Sequence, residues 1–233
     1  MIISHPLTYQ NYLNRFQTVW GWWRNLDTRT GFRVIIPPRQ EPITLAQAAM
    51  HLRLDTYGSP AEYPEQLLIE AQISAAREYC ERYLGRALAP QTIEWAAHDF
   101  PHYDYIELPF GPVLAVETIL YYSSDVAEEL PNTEFLVDTF CEPARIYTMQ
   151  AATWPTLLAS RPGGVRIRYQ AGYTLPSDSP DTLPLPFSLR AAILLVLGHL
   201  YANRENTTME TLQDIPLGAR SLMDPYRLRL GMA

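Results

Sequence analysis

The sequence is short of the features that mark most enzymes. Two cysteines, Cys80 and Cys141, stand in 233 residues, with no metal or redox spacing. Cys80 falls on the apolar side of a helical pattern and reads as a buried structural thiol, which fits a reducing compartment. Long apolar runs are missing as well. The most apolar stretch, Ala191–Leu197, is flanked by Arg190 and His199, and a bilayer span needs about 20 apolar residues. The opening MIISHPLTYQNY has no basic region and no apolar run, so no secretory signal is expected there and a soluble protein is expected overall. Positive charge is scarce: the formal net charge is −7. That balance argues against a general nucleic-acid binder and a polybasic membrane anchor, but does not exclude a wall past which DNA slides without sticking. Glycine is outnumbered by proline, 11 to 20, which predicts many rigid turns and loops. There is no GxSxG, no P-loop, no GxGxxG after a strand and no HExxH. Internal repeats, heptad runs and low-complexity tracts are missing too.

What is present begins with the stretch Pro64–Arg86, the clearest local signal. Pro64 suits a first helical turn, and Glu65 complements the positive end of the helix dipole. Ile69, Ile73, Ala76, Cys80 and Tyr83 or Leu84 recur at helical spacing, and Gly85 is a usual stop. Arg77–Glu81 and Glu78–Arg82 are i,i+4 ion pairs expected on the outer side, each contributing about 0.2–0.5 kcal/mol. They are either solvated intrahelical pairs or contacts between subunits.

Residues 1–42 read as an N-terminal arm crowded with Trp20, Trp22 and Trp23. Those tryptophans pack either on their own domain or on a neighbouring subunit, since Trp is enriched at interface hot spots. Val34–Pro38 is an extended exit with a stiff Pro37–Pro38 hinge. Thr44 and Gln47 form a capping-box pattern ahead of a short helix that ends near Asp55. After Gly85 the period changes to two. Thr92–Ala97, Tyr105–Leu108, Val113–Tyr122, Glu134–Val137, Arg145–Met149 and Val165–Ala171 read as short strands, with Arg166, Arg168 and Gln170 pointing away from Val165, Ile167 and Tyr169. Pro- and Gly-containing turns between them favour antiparallel hairpins. A third helix opens at Pro186, runs to about Arg204 and is apolar nearly all round, so burial is expected. The tail is basic and amphipathic, with Arg220, Arg227 and Arg229. The expected fold class is therefore α+β and mostly helical. A core of about three helices (43–90 and 174–206) carries an inserted antiparallel β unit (91–173) and extended arms at 1–42 and 207–233.

Candidate chemistry is thin. His98 and His102 are four apart beside Asp99 and Asp104, but Pro101 between them breaks the helical geometry a metal pair needs, and a solvated turn is the default. His199 reads as a core or interface histidine bonded to backbone. Glu128–Glu129 reads as a solvated pair. No catalytic residue, metal site or cofactor is assigned. A hydrolase with groups converging in the β unit is the weakest of three readings.

Six segments in a fixed order carry a resemblance: the HLRLD helix at 51–55, AAREYCERYLGRAL at 75–88, LPFGPV at 108–113, YQAGY at 169–173, HLYANRE at 199–205 and LMDPYR at 222–227. This order resembles the head–tail connector (adaptor) proteins of tailed bacteriophages, and within them the HK97-type connector group with a β insertion. The likeness covers about 43–229. It implies a structural, non-enzymatic virion protein made in the host cytoplasm and placed in the neck, between head and tail. It implies a homo-oligomeric ring, commonly twelvefold, that docks under the portal protein and extends the DNA channel. DNA passes through the lumen without sequence-specific binding, and a tail or stopper protein attaches below. No membrane is involved. On that reading Leu222, Tyr226, Arg227, Leu228 and Arg229 are the expected portal contacts, unless the tail folds on its own domain. Arg77, Glu78, Glu81, Arg82, Trp20, Trp22 and Trp23 are the expected subunit contacts. The rival within the same neck is a stopper or tail-completion protein that binds a partner through its β unit.

Overall fold

In a computed structural model the described residues are 30–54, 65–101, 104–149, 153–158, 161–174, 183–203 and 217–228. Trp20, Trp22, Trp23, Pro64, His102 and Arg229 lie outside them. The chain alternates between two units in the order β1 (Thr30–Ile36), α1 (Leu45–Leu52), α2 (Gln66–Leu84), β2 (Gln91–Ala97), β3 (Tyr105–Leu108), β4 (Val113–Tyr121), β5 (Glu128–Glu129), β6 (Phe135–Asp138), β7 (Ala144–Thr148), β8 (Val165–Ala171), α3 (Phe187–Ala202) and α4 (Leu217–Met223).

The expectation of a mostly helical protein is corrected. Strand and helix are near balance, and the strands form two antiparallel sheets, ordered β1-β2-β8-β4-β5 and β3-β7-β6. Two elements account for part of the error. β1 belongs to the segment read as an arm, and β5 to a loop read as a solvated Glu pair.

The two sheets share one apolar core. Ile93 and Trp95 of β2, Ile167 and Tyr169 of β8 and Ile119 of β4 meet Ile106 and Leu108 of β3 and Ile146 of β7. Strict alternation in β8 puts Val165, Ile167, Tyr169 and Ala171 inward and leaves Arg166, Arg168 and Gln170 on the outer face. The Tyr169 hydroxyl donates to the Pro109 carbonyl at 2.6 Å, so its one polar atom is satisfied inside. Gly172 follows at φ +123°, where a Cβ would stand 2.2 Å from the Ala89 carbonyl oxygen. Only glycine lets β8 pass so close to the chain leaving the helices.

The second core is helical. Ile69, Ile73, Ala76, Cys80 and Leu84 of α2 pack on Leu189, Ala192, Ile193, Val196 and Leu197 of α3. The stripe on α2 is the one its sequence spacing predicts. Thr44 caps α1 with the full reciprocal box to Gln47, and Gly85 ends α2 in the left-handed region at φ 67°. α3 is only half enclosed: Ala191, Leu194 and Leu195 stay partly exposed, since α1, α2 and α4 cover one side of it. α4 and the turn after it lie on this core, with Ala219, Met223 and Leu228 buried and the Leu228 N–H bonded to the Leu84 carbonyl at 2.9 Å.

Candidate assembly surfaces

All 18 basic side chains are arginines; the chain has no lysine. Arginine offers a rigid planar fork for carboxylates, and four of these forks organise the molecule. Arg77 lies inside. Its Nε donates to Glu41 at 2.8 Å and its Nη1 to Glu81 at 2.6 Å. Glu81 also accepts from the Leu88 N–H at 2.8 Å and the Gln91 amide at 3.0 Å. The network ties the loop before α1, the middle of α2 and the start of β2. Burial pushes the Glu81 carboxyl up, against the pull of Arg77 and the Leu88 N–H. For Arg77, burial works downward but the bonds and charges of Glu41 and Glu81 outweigh it, so its affinity for the proton rises. Burial pushes the neighbouring Cys80 thiol up to about 12, an inert thiol at neutral pH.

Arg77 and Glu81 were expected on the outer side of the helix as subunit contacts. They face inward, 6% and 8% exposed, because Glu41 and Gln91 supply partners from distant sequence. Glu78 and Arg82 are exposed, and Glu78 leans to Arg77 at 3.8 Å.

Arg86 is the second fork. It grips both oxygens of Glu142, in the loop between β6 and β7, and donates to the Tyr226 carbonyl. One side chain thus joins the end of α2, the small sheet and the C-terminal turn. The bond from Arg86 holds the Glu142 carboxyl below its ordinary value. Tyr226 and Leu222 pack against the helical core, and Arg227 lies over the Tyr83 ring at 5.1 Å. The Tyr83 hydroxyl donates to Asp224 at 2.5 Å. Of the expected portal contacts, Leu228 is buried at 4%, while Leu222, Tyr226 and Arg227 are half-buried.

The other two forks lie on the outer face of the five-stranded sheet. β1 pairs with β2 and β2 with β8 so that Arg33, Glu94 and Arg168 stand in one cross-strand row. Glu94 accepts from Arg33 at 2.5 Å and from Arg168 at 3.0 Å. Its partial burial raises its proton affinity, but bonds to the two arginines win and hold the carboxyl below its ordinary value. In β4, Thr118 faces Arg168, with Glu117 beside it and bonded to Gln170 at 2.8 Å. Strand alternation placed Arg168 on this face. Glu41, Arg86 and Arg33 carry no local pattern, and their partners are 36, 56 and 61 positions away.

A groove of about 770 Å³ between residues 40–47 and α2 is lined by Glu41, Ile43, Gln47, Glu70, Ile73 and Arg190. Its Glu41 is engaged by Arg77 and Ser74, and its Gln47 by the Thr44 cap. No group of three or more His, Cys, Asp or Glu among the described residues is placed to hold a metal. His199 pairs with Asn203 rather than with an acid, at 3.3 Å. No described helix is long and apolar enough to cross a membrane. Phe140, fully exposed, is held out on the β6–β7 loop by Asp138, which accepts from the Phe140 N–H at 2.9 Å and from the Cys141 thiol at 3.1 Å.

No family model matches the chain, and no curated protein does. Among solved structures, it is similar to a chain in the neck of an empty gene transfer agent particle computed with C6 symmetry. The TM-score is 0.68 at 20% identity, over 87% of this chain and 97% of that one. A chain in the virion of the native particle gives 0.65 at 21%, over 86% and 97%. A chain in the native neck computed with C12 symmetry gives 0.64 at 19%, over 87% and 97%. The two sheets and the helical unit therefore form a fold shared over nearly the whole length of those chains.

Proposed function

We propose that this protein is a structural component of the neck of a tailed, phage-like particle, and within that neck the head–tail adaptor. Copies form a ring under the portal, extend the DNA channel and offer the surface on which the tail or stopper protein seats. The observation that carries this reading is the fold shared over 97% of the length of chains from gene transfer agent necks. The C6 and C12 symmetries of those necks support a ring of copies. The described arginine–carboxylate pairs hold elements together, a structural use of charge that supports this reading.

Within this proposal the portal contact is confined to part of the tail. Leu228 anchors the C-terminal turn to its own protomer, so the contact falls to the outward sides of Leu222, Tyr226 and Arg227 and to the chain beyond, Arg229 included. Mixing the purified protein with the portal of its parent particle and imaging the mixture by electron microscopy tests the reading. The expected result is a ring stacked on the portal. An intact portal that stays bare contradicts it and moves the assignment to a stopper or tail-completion protein, to be sought on isolated tails.

A further inference from the structure

Among the described residues the five-stranded sheet ends in two strands with no further strand on their outer sides, and these two edges match. At one end β1 pairs only with β2 among the described strands. At the other end β5 covers β4 at Leu120 and Tyr121 alone, with one more bond from the Leu130 N–H to the Ile119 carbonyl. Val113–Thr118 is left without a described strand on that side. Exposed edges of this kind template pairing with another chain, and monomers usually guard them with proline or lysine. Neither Thr30–Ile36 nor Val113–Thr118 contains proline, and the chain has no lysine to place there. Both stretches instead expose apolar side chains: Val34 and Ile36 at 47%, Leu114 at 38%.

We propose that neighbouring copies in the ring join edge to edge, β1 of one copy pairing antiparallel with Val113–Thr118 of the next. The sheets then run on as one belt. This rests on the ring reading above and names the contact within it. Three observations favour a second copy as the occupant. First, direction: β1, β2, β8 and β4 are successively antiparallel. A copy carried round by rotation therefore presents its β1 antiparallel to β4 with no element reversed. Two different edges of one molecule make a heterologous contact, the kind that closes into rings. Closure also removes the open edges.

Second, charge. Along the outer face the row runs Arg33, Glu94, Arg168, then Glu117 beside Thr118. The next strand in the belt is β1 of the neighbour, whose Arg33 is 66% exposed. The alternation of sign thus continues across the boundary, where opposite charges on facing strands attract. Third, curvature. The register shifts of this sheet fall where β1 pairs with β2 and where β4 pairs with β8, while the β2–β8 ladder between them is unbroken. Bulges on boundary strands are the means by which sheets bend and close.

Disulfide trapping tests the contact. The double variants R33C/E117C and R33C/A115C place a thiol on each edge in two alternative registers. Within one copy the edges are three strand spacings apart, about 14 Å. A disulfide needs Cα atoms about 4.4–6.8 Å apart, so any bond at these sites joins two copies. Oxidised rings assembled on the portal should give a ladder of linked dimers, trimers and higher species from at least one pair, and none from the single variants. Rings seen by electron microscopy with no ladder from either pair overturn the edge contact and leave the ring reading standing. Monomers of the unmodified protein beside a bare portal overturn both. Hydrogen exchange on the unmodified protein removes any dependence on the variants. Amides at 34–36 and 113–118 should exchange about tenfold or more slowly in the ring than in the free protein, and unchanged rates overturn the contact. Protection without a ladder assigns the edges to a strand of another protein.

Discussion

Arg77 and Arg33 each pair with glutamates, yet their settings are opposite. Arg77 is sealed between the helical unit and the start of β2, its side chain 7% exposed, and each of its partners lies within the protomer. Arg33 stands on an edge strand with its side chain 66% exposed, and it shares Glu94 with Arg168. The first arrangement fixes how the two units meet, because a charge left unpaired there is costly. The second leaves an arginine at the rim of a charge row, where another carboxylate can complete it. On the proposed reading, protomer stability and assembly thus rest on different arginine pairs.

Breaking the interior network should have the largest effect. R77A strands Glu81 in a buried site and takes the cation from the partly exposed Glu41, and should lower unfolding free energy by about 3–5 kcal/mol in urea titrations. R86A removes the clasp on Glu142 and the Tyr226 carbonyl, and about 2–3 kcal/mol should be lost. Early proteolysis between 217 and 228 would show that the C-terminal turn has come free.

Acid sharpens the comparison. Glu142 and Glu94 have folded-state proton affinities below their ordinary values. Their contribution is fully present above the unfolded carboxylate pKa of about 4.3 and fades as pH falls through the lower folded values. The melting temperature should drop below about pH 4.3, and E142Q should flatten that drop.

At the exposed end, R33A should change protomer stability by no more than about 1 kcal/mol while weakening ring formation, read by sedimentation with the portal present. Removing residues 229–233 should leave melting unchanged, since Leu228 and Met223 still anchor the turn, and should reduce binding to the portal.

Much of this fold was legible where one periodicity ran long enough. The α2 stripe, the Gly85 stop, the Thr44–Gln47 box and the alternation of β8 all follow from spacing within a single element. β1 was not, because the tryptophans before it drew residues 1–42 into one arm and left Val34–Pro38 as a connecting segment. Its place as a strand depends on β2, more than fifty positions on. The orientation of Arg77 failed for a related reason. An i,i+4 pair looks the same inside and outside a helix, and only the distant Glu41 and Gln91 decide between them. The charge row was half visible: alternation placed Arg168 on the outer face, but Glu94 and Arg33 beside it are set by register.

The most direct test is an electron-microscopy map of the parent particle's neck at side-chain resolution. The account predicts this fold in a closed ring against the portal, with β1 of each copy beside β4 of the next and Arg77 still buried within its own protomer. The protein found elsewhere in the particle, or a neck ring built without it, would contradict the account.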